Sequence, residues 1–285
     1  LLVRLARQQA RHRRAQPVAR ARRRRRLLLA LLGLGRRALG VLDRAAARRR
    51  GLPSPPGRAA LARRSFRSAS EYFRAIANDK ACPEAIKIEA KFALSDTAIL
   101  NNAEFEEAIT ILESILNSNG KTSLLIDLQT HGRIGDCHLQ MAAEDPNRYL
   151  KAQEAYRRVL ELSSQMSGDP PARYRAMMGM AQSLKNMPEE DVSKRNKNLI
   201  QALGWAKKVF EGATSAETEL EPFWIRQSGL MSADIQMRAG KPMEEIATLK
   251  ALGLHFGKMR PLLDARINQI RQQLREARPE KSTAK

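Results

Sequence analysis

His131 and His138, with Asp136 and Cys137 between them, form the densest group of potential metal ligands and proton carriers in the chain. Imidazole, thiolate and carboxylate can together hold a transition metal. The spacing argues against it. On a helix, positions i and i+7 lie about 10 Å apart along the axis, too far for one ion to bridge. Both histidines are therefore expected to be packing residues. Glu189, Glu190 and Asp191 could act as paired carboxylates or hold a cation. They stand in a polar stretch, however, and read as a solvated charge run. The chain has no Gly-rich phosphate loop, HExxH or GxSxG. Cys82 and Cys137 lie 55 positions apart with no CxxC pair, and are expected to be buried or inert thiols, a disulfide between them staying open. The expectation is a protein that is not an enzyme, with no cofactor and no metal site.

The elements that must position these residues are marked by a recurring stripe. Over 149–162 the apolar residues Ala152, Ala155, Tyr156, Val159 and Leu160 fall at i, i+3, i+4, i+7 and i+8, one face of a 3.6-residue helix. The same stripe appears as Ala108, Ile111, Leu112, Ile115 and Leu116, and again as Ala202, Trp205, Ala206, Val209 and Phe210. Each opens on Ala, whose small side chain lets a neighbouring helix approach while the bulkier residues fill the space behind it. Hydrophobic content of 43% supports a core, and only 5% aromatics suits helix-on-helix packing. No run alternates Val, Ile and Thr in the manner of a strand.

The predicted fold is all-α, a solenoid of stacked helix–turn–helix units over residues 66–285. Ser68 and Glu71 fit a capping box, so the first helix is expected from near Phe66 to about 79. Pro83 would open a second helix reaching 100, with Asn101-Asn102 as the turn before 104–116. Later pairs are predicted at 124–143 with 149–163, at 172–185 with 197–211, and at 222–239 with 243–254. The turn of the last pair is Gly240-Lys241-Pro242. A final helix should run from Pro261 to 276, with a polar tail after it.

Within these segments the residues resemble the tetratricopeptide repeat family, a helix–turn–helix unit of about 34 residues with W-x2-L-G-x2-Y, then A-x3-F, then P. Phe92-x2-Ser95-Asp96-x2-Ile99 with Ala108-x3-Leu112 keeps that spacing. So does His131-x2-Ile134-Gly135-x2-His138 with Ala152-x3-Tyr156, with five extra residues in the turn. Arg175-x2-Met178-Gly179-x2-Gln182 with Ala202-x3-Ala206 is a third match, and Leu230-x2-Ala233-Asp234-x2-Met237 with Ala247-x3-Ala251 a fourth. The four anchor alanines are spaced by 44, 50 and 45 residues, which keeps a longer-repeat α-solenoid as an alternative.

The resemblance implies that the first helix of each pair lines a concave face that holds a partner. The positions carried over are Ala93, Thr97 and Leu100 from the first pair, and Asp136 and Leu139 from the second. The third pair gives Met180 and Ser183, and the fourth Met231 and Ile235. This groove reads as more apolar than polar and lacks the Lys and Asn pattern with which resembling proteins clamp a C-terminal carboxylate. Five of the ten methionines lie between Met166 and Met187, which suits an adaptable apolar contact.

Charge divides the chain. The formal net charge is +21. Residues 1–70 carry 21 Arg, no Lys and the single acid Asp43, whereas 71–285 carry 30 basic and 29 acidic residues. An argument for nucleic-acid binding can therefore use only the extension at 1–65, which is expected to be disordered or partly helical. That segment also has no Ile, Asn, Met, Glu, Tyr or Thr. A phosphate-binding arm, a targeting leader and a GC-rich stretch translated from outside the true reading frame each account for this vocabulary. The opening on Leu1 fits a fragment or a processed product. No apolar run approaches the roughly 20 residues that cross a bilayer. The leading expectation is a protein–protein scaffold that holds a partner protein or peptide segment in its groove. The alternative is a nucleic-acid-associated protein using the Arg-rich arm. The resemblance favours a bacterial cell-envelope setting over a cytoplasmic one, and the oligomeric state stays open.

Overall fold

Ala, Leu, Glu, Lys and Arg all extend helices at little cost. In this sequence Pro, Gly and Asn punctuate the runs between them. The computed structural model describes residues 65–277 except 102–103, 119–121, 167–170 and 215–221. The basic extension and the C-terminal tail lie outside the described residues. The described residues form ten α-helices and one 3₁₀ turn, with no strand. They fall into two packing units.

The first unit contains α1 (Phe66–Asn78), α2 (Glu84–Leu100) and α3 (Phe105–Leu116). The capping box expected at Ser68 does not form. Ser68 is already helical, the Ser65 hydroxyl donates to it at 2.9 Å, and Glu71 instead pairs with Arg67 at 3.1 Å. Helix α1 buries Ala69 and Phe73 against Ala90, Ala93 and Leu94 of α2. Helix α3 turns inward with Ala108, Leu112 and Ile115 fully buried.

The second unit contains α4 (Leu124–Met141), α5 (Asn147–Ser163), α6 (Pro171–Asn186), α7 (Val192–Thr214), α8 (Pro222–Arg238), α9 (Pro242–His255) and α10 (Arg260–Glu276). Successive helices pack on each other, and α4 also meets α6, as α6 meets α8. Helices α4, α6 and α8 thus form one layer, with α5 and α7 against it in a second. Helix α7 begins five residues before its predicted start. The Asp191 carboxylate accepts from the backbone N–H of Ser193 at 2.8 Å and of Lys194 at 3.2 Å, so it caps the helix. Gly240, at φ +67°, supplies the left-handed turn between α8 and α9.

The stripe that opens on Ala is a packing unit in all three helices that carry it, but the fourth motif match fares differently. Ala108, Ala152 and Ala202 have no exposed surface. Ala247 is exposed, and α9 buries Ile246, Leu249 and Leu252 instead. The register assigned to the last pair therefore does not match its buried face. Consistent with that mismatch, Leu230 and Met237 of the expected motif are exposed.

Candidate functional site

The aromatic at position 156 locks three helices together. Tyr156 on α5 is fully buried, and its ring lies against the backbones of Gly135 on α4 and Gly179 on α6. A Cβ at 135 would come within 2.7 Å of the ring, and one at 179 within 2.3 Å, so both positions need a residue without a side chain. The hydroxyl donates to Asp136 at 2.7 Å, and the other Asp136 oxygen pairs with the Arg175 guanidinium. Burial, then the charge and hydrogen bond of Asp136, hold the Tyr156 hydroxyl well above the ordinary phenol range, while Arg175 pulls the other way. Asp136 and Arg175 are each about one-fifth exposed. The arrangement ties α4, α5 and α6 into one body.

The nine groove residues divide sharply. Thr97, Ser183 and Ile235 have no exposed surface, and Ala93 and Met180 retain only 6–7%. These five belong to the helix packing. The Thr97 hydroxyl donates to the Ala93 carbonyl at 2.7 Å and that of Ser183 to the Gly179 carbonyl at 2.8 Å, which is how polar residues fit there. Leu100, Asp136, Leu139 and Met231 are half-buried. The layer of α4, α6 and α8 is also more charged than expected. Besides Asp136 and Arg175, Lys185 pairs with Asp234 at 2.7 Å, and Arg238 reaches the same carboxylate at 3.6 Å.

The two histidines sit in different surroundings. His138 is buried, with its Nδ1 3.3 Å from Arg148, which also pairs with Asp145 at 3.2 Å. His131 is half-buried and its pKa lies below the usual imidazole value. Burial is the main cause and the Arg158 charge adds to it, against a smaller opposing effect of Asp127. Among the described residues no group of three or more His, Cys, Asp or Glu could hold a metal ion. Cys82 and Cys137 are both free thiols. Among the described residues no helix is long and apolar enough to cross a membrane.

A cleft that no sequence motif marks opens where α5, α6 and α7 meet. Its volume is about 400 Å³, and its lining includes Leu160, Tyr174, Met177, Trp205 and Lys208. Tyr174 and Met177 form a buried floor. The Lys208 ammonium lies over the Trp205 ring, 4.8 Å from its centre. In the sequence Trp205 is one member of a packing stripe. The available signal was Lys208, one helical turn further on and next to Lys207. No family model and no curated protein matches the chain.

Proposed function

We propose that the chain is a non-catalytic interaction scaffold, built from repeats of the tetratricopeptide type with long insertions, that holds a segment of a partner protein. The observation that carries this reading is Tyr156 set between Gly135 and Gly179. Both glycines occupy the Gly position of the motif matches, and Tyr156 occupies the aromatic position after Ala152. One side chain thereby fixes two successive pairs of helices. A stack fixed in this way presents a preorganised surface, so a bound segment would lose little affinity to reordering of the scaffold. Two surfaces of the second unit suit such a role: the layer carrying Leu139 and Met231, and the Trp205 cleft.

The test uses a partner recovered by crosslinking to the full chain and divided into overlapping peptides of about 20 residues. One peptide, or two that overlap, should carry the affinity. If only the intact folded partner binds, the segment reading fails.

A second reading has one specific observation in its favour, the 21 Arg against one acid in residues 1–70. A nucleic-acid-associated protein held through that arm would bind with an affinity that falls steeply with salt.

A further inference from the structure

We propose that the cleft between α5, α6 and α7 is a docking site for an acidic segment of a partner protein, which inserts one large apolar side chain beside Trp205. The inference rests on the scaffold reading above and adds the place and the chemistry of the partner.

The apolar half of the argument is the lining. Leu160, Met177, Tyr174 and the Trp205 ring surround about 400 Å³, within the range of pockets that bury a compact ligand. A Leu or Phe side chain with its adjoining backbone fits such a space. Binding energy concentrates where a large side chain fills a desolvated pocket rimmed by polar groups.

The charged half is a segregation that whole-body averages conceal. Residues 71–285 are close to neutral, yet α5, α6 and α7 together carry 12 basic and 3 acidic residues. Lys151, Arg157, Arg158, Lys207 and Lys208 are all exposed. Of the three acids, Glu161 accepts from Arg158 at 3.1 Å. The carboxylates of 189–191 adjoin the other end of α7. At 1.5 Å per residue, Asp191 lies about 25 Å along that helix from Lys208. The two charged residues that line the cleft, Arg173 and Lys208, are both cationic, so its mouth is positive. It would favour carboxylates on approach and reject a basic segment.

The position of Lys208 decides between an acidic peptide and a nucleic acid. Single-stranded bases bind such clefts by stacking on an open aromatic face. Here the Lys208 ammonium already covers a face of Trp205. A carboxylate can meet that ammonium where it stands, whereas a base would have to displace it.

The test selects random peptides of about 12 residues, displayed on phage, against the full chain at physiological salt. Binding is then read from Trp205 fluorescence in a Trp224→Phe chain, since the protein has only two tryptophans. Circular dichroism checks the fold of every variant. Enriched peptides should be net acidic with one Leu, Phe, Trp or Met. Lys208→Glu, at an exposed position, should weaken them at least about tenfold while Lys208→Arg keeps them. Four results overturn the proposal. Enriched peptides could be neutral or basic. Acidic peptides could ignore Lys208→Glu and respond instead to Leu139→Lys with Met231→Lys, in which case the cleft fails and the scaffold reading stands. A short oligothymidylate could shift Trp205 in a Lys208-dependent way, making the cleft a nucleic-acid site. Failure to enrich any peptide overturns the cleft and the scaffold reading together.

Discussion

An alanine Cβ at position 179 would lie 2.3 Å from the Tyr156 ring, closer than any neighbour could tolerate without moving. The same ring also lies so close to Gly135 that a Cβ there would come within 2.7 Å of it. Gly179→Ala should therefore destabilise the second unit by about 3 kcal/mol, the upper range for overpacking. Gly204, in the middle of α7, has nothing within 4 Å of its Cβ position. The same change there should stabilise by about 0.5–1 kcal/mol, since only unfolded-chain entropy is lost. Urea denaturation of both variants measures the contrast. Two changes of the same sign would show that Tyr156 does not occupy this slot in solution.

Removing the Tyr156 hydroxyl isolates the polar half of the same lock. Tyr156→Phe keeps the ring but withdraws a donor from Asp136. The expected loss is about 1.5–3 kcal/mol, the range for hydrogen bonds to charged groups. Arg175→Met combined with Tyr156→Phe should cost less than the sum of the two single changes, because both act through one carboxylate. Strict additivity in denaturation midpoints would contradict a shared network.

Glu89 should make stability depend on pH in the direction opposite to an ordinary paired carboxylate. Its Oε2 is buried without a hydrogen-bond partner, and burial raises its pKa above the usual 4.5. Folding thus favours the protonated acid. That contribution is complete below pH 4.5 and is lost as pH rises through the raised value. Glu89→Gln should accordingly raise the melting temperature at pH 7, with the gain shrinking toward pH 4.5. A gain that grows on acidification would contradict this.

Helix α10 is fastened by one partly buried ion pair. Arg266 donates to Glu245 at 3.1 Å, and Glu245 is only 5% exposed. Arg266→Met strands that carboxylate, at an expected cost of about 2–4 kcal/mol, somewhat below that of breaking a fully buried pair. Amide exchange should quicken across α10 more than elsewhere. Adding Glu245→Leu should restore most of the loss. Unchanged exchange in the Arg266→Met chain would remove the ion pair from the account.

Helix positions were legible because their signals are local. Pro83, Gly240 and Pro242 punctuate the sequence where the helices change, and the stripes place Ala108, Ala152 and Ala202 at the packing surface. The start of α7 was missed because residues 192–197 are exposed, so no apolar stripe reaches back to the Asp191 cap. The register of α9 was missed because a lone Ala carries little information. What fixes it is Leu252 filling the space beside Gly229, a contact between helices. The groove residues depended on the same long-range information. Thr97 and Ser183 look like surface residues in the sequence until neighbouring helices cover them and their hydroxyls turn to their own backbone. The basic surface of α5–α7 is hidden in the sequence because acidic residues elsewhere in 71–285 balance it.

The most direct measurement is affinity capture from the source organism's lysate. The full chain and a chain without residues 1–64 serve as parallel baits, each with and without nuclease, with quantitative mass spectrometry as the readout. The scaffold account predicts that both baits retain the same protein and that nuclease changes nothing. Retention by the full chain alone, abolished by nuclease, would contradict it and move the function to the Arg-rich arm.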